Sequence, residues 1–136
     1  RFFDVDLARR PPDRTRESFS AFAQLVQRYP KSRYAADARQ RMVFLRNRLA
    51  EYENDVARYY FKRGAYLAAI DRARFNVESY DGAPAVAESL RIIIDSYRAL
   101  GMTDLADSTR EVLAANFPEA AREQAKEEEK PWYRFW

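Results

Sequence analysis

The sequence predicts an all-α fold, a solenoid of about five helices of which one is unusually long. Three observations predict it. Only 3 glycines and 6 prolines occur in 136 residues, and most of the prolines stand where an element would begin or end, which leaves little room for the many turns of a β-sandwich. Apolar residues recur three and four positions apart, the period of one helix face. A set of small and aromatic residues also repeats at a fixed distance near the C-terminal end.

In chain order, the pair Pro11-Pro12 is followed by Asp13, a candidate cap for a helix to about Arg28, with Phe19, Phe22, Ala23, Val26 and Tyr29 on one side. Tyr29-Pro30 stops it, because proline pushes its predecessor out of helical geometry. Ser32 can cap a second helix reaching about Arg63, whose seam Ala38, Met42, Leu45, Leu49, Tyr52, Val56, Tyr59 alternates steps of four and three. Gly64 ends that helix, and a shorter third one spans about Tyr66 to Ser79. The turn Asp81-Gly82-Ala83-Pro84 starts the fourth, which reaches Leu100 and buries Val86, Leu90, Ile93, Ile94 and Tyr97. Gly101 stops it, Thr103 caps the fifth helix, and Leu105, Ala106, Val112 and Leu113 line that helix up to Phe117-Pro118.

Tyr60, Gly64, Ala69 and Tyr80 recur as Tyr97, Gly101, Ala106 and Phe117, each 37 positions on. The aromatic packs between paired helices, the glycine closes the first helix of a pair, and the alanine lets the second approach closely. A period near 34 residues with these residue types makes the solenoid tetratricopeptide-like. The step from Tyr29 to Tyr80 is longer, so the middle repeat carries about 14 extra residues at the front of its long helix.

The composition narrows function. Hydrophobic residues make up 47% and charged residues 33%, a globular balance. With neither cysteine nor histidine, disulfides, thiolate chemistry, the commonest zinc ligands and the usual general base are all absent from the sequence. The remaining catalytic candidates are carboxylates such as Glu127-Glu128-Glu129 in a solvated charge run, so neither an enzyme nor a cofactor or metal site is expected. The chain opens on Arg1-Phe2-Phe3 in mid-pattern and reads as a fragment, so the lack of a signal peptide says nothing about compartment. Net charge is +3, with +7 on residues 1–63 and −4 on residues 64–136. Arginines 39, 41, 46, 48, 58 and 63 are scattered around the long helix among Glu51, Glu53 and Asp55 rather than aligned in a stripe, which argues against nucleic acid.

The run Phe19-Ser20-Ala21-Phe22, Leu25-Val26 and Tyr29-Pro30-Lys31-Ser32-Arg33-Tyr34, followed by residues 41–53 (RMVFLRNRLAEYE) and 56–65 (VARYYFKRGA), closely resembles the BamD family of periplasmic lipoproteins, part of the outer-membrane β-barrel assembly machine. Phe2-Phe3-Asp4-Val5-Asp6 resembles the segment leading into that family's third repeat. The resemblance covers about residues 1–118. It implies the third to fifth of five repeats, with 119–136 a charged tail ending in an aromatic cluster. It further implies an intact protein at the periplasmic face of the outer membrane, held there only by a lipid on a cysteine that this chain lacks. The implied partners are the POTRA domains of BamA, other accessory lipoproteins of the complex, and nascent outer-membrane proteins.

Candidate contact residues are those that packing does not explain. With Tyr66, Ala69, Ala73 and Val77 assigned to the core of the third helix, Phe75 projects outward with Arg72 one turn earlier. The expectation is that Arg72 meets a partner carboxylate while Phe75 fills an apolar notch, with Arg63, Arg74 and Tyr80 contributing. The plainer alternative pairs Arg72 with Glu78 or Asp71 and buries Phe75 under the tail. Residues 119–130 suit an extended last helix or a disordered tail. Beyond them Trp132, Tyr133, Phe135 and Trp136 form a cluster that folds back, docks on a partner or rests at a membrane interface. A second reading of the whole chain is an adaptor that holds an extended peptide in its concave groove.

Overall fold

The structure is a computed structural model describing residues 12–130, with side chains from Arg16 onward. Six helices follow one another: α1 (Pro12–Arg28), α2 (Arg33–Lys62), α3 (Tyr66–Ser79), α4 (Ala85–Ala99), α5 (Thr103–Asn116) and α6 (Pro118–Glu129). The described residues contain no strand. The sixth helix is formed by the charged stretch, for which the sequence left two outcomes open. It starts with proline at its first position, where no backbone donor is needed.

Helix α2 begins at Ser32, whose hydroxyl accepts from the Ala35 amide at 3.2 Å, and its 30 residues extend about 45 Å. Two caps expected from sequence fall elsewhere. Asp13 lies inside the first turn of α1, and Thr103 is the first residue of α5, with Met102 in the cap position and no side-chain bond. The Met102 amide closes the end of α4 and the Met102 carbonyl accepts from Ala106 N–H at 3.0 Å, so the corner turns directly into α5 with Thr103 already inside the helix.

The 37-residue repeat is reproduced bond by bond. Gly64 and Gly101 both take positive φ, 77° and 75°. At the first corner Ala65 N–H donates to Tyr60 O and Gly64 N–H to Phe61 O, both at 3.0 Å. At the second, Met102 N–H donates to Tyr97 O at 2.9 Å and Gly101 N–H to Arg98 O at 3.0 Å. This pair of bonds is the Schellman closure, and its left-handed residue favours glycine. Ala69 and Ala106 are both fully buried, and Tyr80 and Phe117 end their helices by donating to Asn76 O and Leu113 O.

Helices α2 and α4 touch each other, whereas among the described residues α3 and α5 do not. The chain is therefore a curved repeat solenoid, with α2 and α4 on the inner side and α3 and α5 outside. One core joins Ala57, Ala69, Ile70, Ala73, Ile92, Ile93, Tyr97 and Ala106, and a second joins Ala83, Val86, Leu90, Ile94 and Leu113. All five residues expected to be buried on α4 are buried. Tyr29, Leu105 and Val112 are not, at 57%, 48% and 44% exposed. Among the described helices, α1 packs on α2 alone and α5 on α4 and α6.

A polar lock joins the first pair of helices to the next. The buried Asn76 amide donates to Ala50 O, Asn54 Oδ1 and Ser89 Oγ at 2.7, 3.0 and 3.0 Å. Asn54 in turn donates to Ala85 O at 2.9 Å, and Ser89 Oγ donates to Asn54 Oδ1 at 2.6 Å. Inside a core such bonds exclude slippage, because a shifted register leaves buried amides without partners.

Candidate protein-interaction surface

On α3, Ala69, Ile70, Ala73 and Asn76 face inward, so Leu67, Asp71, Arg72, Arg74 and Phe75 are left outside. Phe75 is 43% exposed and meets Tyr80 edge-on, with ring centroids 6.0 Å apart and planes at 82°. Tyr80 is half-buried and packs on the second core, so it holds one edge of the Phe75 ring while the rest faces solvent. Phe75 is thus an anchored aromatic rather than a loose one. The described part of the tail does not cover it, since α6 packs on α4 and α5.

Arg72 does not reach either acid expected as its local partner. Its Nη1 donates to Glu53 Oε1 on α2 at 3.1 Å. The Glu53 side chain is only 5% exposed and that of Arg72 48%, so the carboxylate sits under the surface and the guanidinium lies across it. A buried carboxylate without that partner would be costly, which fixes Arg72 in place and leaves its other N–H donors toward solvent.

The remaining candidates divide by position. Arg74, two residues from Arg72, leans to the opposite flank and its Nη2 donates to Tyr97 Oη at 3.0 Å. Arg63 sits at the α2–α3 corner, its guanidinium carbon 3.7 Å from the Tyr59 ring centroid, with Nη1 donating to Tyr59 O at 3.4 Å. Arg63 precedes α3 and Tyr80 follows it, and 14 helical residues span about 20 Å. The structure therefore brings Arg72, Phe75 and Tyr80 together and sets Arg63 and Arg74 apart from them. Trp132, Tyr133, Phe135 and Trp136 lie outside the described residues. Glu53 is the residue that sequence reasoning missed. Its signal was an acid on the buried face of a helix, at the position that holds Leu90 in the next repeat.

The inner side carries a second feature, an open groove of about 480 Å3 lined by Arg48, Glu51, Asn54, Arg58, Ala85 and Glu88. Its arginines are engaged: Arg58 pairs with Glu88 at 2.6 Å and Asp55 at 2.8 Å, and Arg48 lies over Phe44. Elsewhere on α2, Arg41 pairs with Asp37 and Arg39 donates to Pro30 O. No cationic stripe results. The described residues hold no group of acids, cysteines or histidines fit for a metal ion, and no described helix is long and apolar enough to cross a membrane.

The α6 end is electrostatically knit. Arg110 donates through Nε and Nη2 to Glu128, the latter bond at 2.7 Å, and also pairs with Asp107. Gln124, 2% exposed, donates to Glu128 at 2.7 Å and to Asp95 at 2.9 Å, and accepts from Arg91 at 3.0 Å. Burial works to raise the Glu128 carboxyl, but the Arg110 and Gln124 hydrogen bonds and the charges of Arg110 and Arg98 outweigh it and hold the carboxyl below its ordinary value. The Glu128 hydrogen bond is in turn the main reason the Arg110 guanidinium is raised.

These features sit on a chain whose residues 2–113 match the sequence profile of a family described as outer membrane lipoprotein (YfiO). The chain belongs to this family. Similar proteins include the outer membrane protein assembly factors BamD of three bacteria. That of Neisseria meningitidis serogroup A is 47% identical over 133 residues, covering 96% of this chain and 50% of the relative. That of Vibrio cholerae is 40% identical over 114 residues, covering 84% and 47%. That of Xylella fastidiosa (strain Temecula1) is 38% identical over 117 residues, covering 86% and 40%. The chain thus spans about half the length of these outer membrane lipoprotein relatives or somewhat less.

Proposed function

We propose that this chain is the C-terminal repeat half of an outer-membrane protein assembly factor, and that it acts as a non-enzymatic scaffold docking onto the periplasmic POTRA domains of BamA. The observation that carries this reading is the outer face of α3. An arginine pinned by a buried acid stands one turn from an aromatic ring steadied on a neighbour. Arginine and aromatic residues dominate the energetics of protein interfaces, and pre-ordered ones lose less entropy on binding. In this reading Arg72 meets a carboxylate of the partner, Phe75 enters an apolar notch, and Tyr80 backs the ring. Arg63 and Arg74 serve as flanking contacts. The scaffold works at the periplasmic face of the outer membrane, its lipid anchor carried by the other half of the protein. Other accessory lipoproteins and nascent outer-membrane proteins are its further partners. Residues 1–118 supply the repeats and residues 119–136 the tail, with α6 serving as the hydrophilic end cap that helical arrays need.

Co-purification of the chain with the isolated POTRA domains of its cognate BamA tests the proposal, with circular dichroism as the folding control. A folded chain that fails to retain them overturns it. A second reading, capture of an extended peptide, is favoured by the inner groove between α2 and α4 with Arg48, Glu51, Arg58 and Glu88 along it. It predicts binding that is lost on Arg58→Ala and unaffected by Phe75→Ala.

A further inference from the structure

The two helices that follow an aromatic stop are held in opposite ways. After Tyr80, α4 gives the fold nine buried residues. After Phe117, α6 gives it one, Gln124. Helix α6 packs on α5 and α4 much as α4 packs on α3 and α2, so it stands at the next first-helix place in the array. Its apolar grip is limited to Ala120 and Ala121, half-buried beside Phe117 on the core that holds Leu90, Ile94 and Leu113. The rest of the attachment is polar. Gln124 and Glu128, one turn apart, meet Arg91 and Asp95 of α4 and Arg110 of α5. Two alanines take little apolar surface out of water, and ion pairs that stay partly exposed add little more.

Nor does the helix sustain itself. Its 12 residues are too few for a helix to persist alone in water. Glu127, Glu128 and Glu129 also crowd its negative end, where cations are favoured. Undocking therefore melts α6 in the same step, and the gain in chain entropy favours the open state. The repeats are built without it, because the closures at Gly64 and Gly101 and the Asn76 lock use no residue of α6. What opens is an apolar strip on α4 and α5 flanked by Arg91, Asp95 and Arg110, a seat for one face of one helix. This seat lies apart from the α3 surface of Arg72 and Phe75.

We propose that α6 is a displaceable lid, which leaves the end of the array as one unit while α2 to α5 stay folded, and that the seat it vacates takes an amphipathic helix of another protein. The resident helix states the chemistry of that partner. It is a helix with small residues where Ala120 and Ala121 lie, then a glutamine and a glutamate at successive turns on the same face.

Hydrogen exchange of the full chain tests the release. Amides of Gln124 to Glu129 should exchange at least about a hundredfold faster than those of Leu90 to Ile94. Equal rates would mean that α6 leaves only on global unfolding, which overturns the proposal. The seat is tested with a fluorescently labelled peptide of residues 118–130. In the full chain, the double variant Gln124→Ala/Glu128→Ala loosens the lid, keeps good helix formers and leaves α4 and α5 untouched. Circular dichroism and the α4 amides report that the repeats stay folded. The peptide should bind this variant at least about tenfold more tightly than the wild-type chain, whose own α6 competes for the seat. Adding Arg110→Ala should abolish the gain, and a peptide with both alanines should not bind. No binding to the loosened chain, equal binding to both chains, or binding indifferent to Arg110→Ala overturns the proposal.

Discussion

The two successive repeats, α2–α3 and α4–α5, share their corners and differ in what they display. Backbone closure, glycine, alanine and aromatic stops agree at every 37-residue step. Side chains one turn away do not. Buried Glu53 and Asn76 of the first repeat correspond to Leu90 and Leu113 of the second, both in the apolar core. Exposed Arg72 corresponds to Thr109, whose hydroxyl donates to Leu105 O at 2.8 Å, and Phe75 to Val112. At these two positions the second repeat has apolar contacts, though its α4 lends Ser89 and Ala85 O to the lock. The first carries a polar lock inside and a pinned arginine outside. A repeat array needs its corners everywhere, so the residues that break the repeat are those that packing alone does not require.

The largest effect expected from erasing this difference comes from Leu113→Asn, which puts the first repeat's amide into a core without its partners. It should cost about 4 kcal/mol, from lost burial plus an unsatisfied amide, read by urea unfolding. Asn76→Leu makes the opposite change and should cost about 2 kcal/mol, because Asn54 and Ser89 lose a partner. Adding Asn54→Leu and Ser89→Ala should recover much of that, and no recovery would mean that the lock contributes more than satisfied hydrogen bonds.

Where the repeats agree, responses should agree. Gly64→Ala and Gly101→Ala each force a Cβ into a left-handed position, though open space surrounds both, and should lower stability by about 1 kcal/mol apiece. Unequal losses would break the equivalence of the corners.

A smaller, pH-dependent difference belongs to the end cap. Glu128 is held below its ordinary value of 4.5, so it contributes stability that is present above 4.5 and lost as pH falls through its lower folded value. Exchange protection of α6 amides should therefore fall below pH 4.5, and Glu128→Gln should remove that dependence while α3 amides are unaffected.

Much of this scaffold was legible in the sequence. Gly64, Gly101, Ala69, Ala106 and the buried stripe of α4 act through local geometry, which a 37-residue offset exposes directly. The Ser32 cap and the bounds of α3 are local in the same sense. The site was legible only in outline. The direction of Phe75 follows from helical period, but the partner of Arg72 lies 19 residues away on another helix, and Arg74 finds Tyr97 across 23. No spacing rule reaches that far. The charged run 119–130 read as an extended last helix or a disordered tail, since the partners of buried Gln124 and half-buried Glu128, namely Arg91, Asp95 and Arg110, lie on other helices. Leu105 and Val112 erred the other way, because an apolar spacing says which residues share a face and not whether a neighbour covers it.

The structure also changes the choice of decisive variant. Arg72→Glu would bring a second carboxylate against buried Glu53 and confound folding with binding. Phe75→Ala and the repeat-swapped double Glu53→Leu/Arg72→Thr avoid this, and Val112→Ala is the control from the other repeat. Titration of each, as folded protein, against the isolated POTRA domains tests the central claim most directly. The account predicts at least about tenfold weaker binding for the first two, the loss expected of an interface anchor, and none for Val112→Ala. Unchanged affinity for Phe75→Ala, or an equal loss for Val112→Ala, would contradict it.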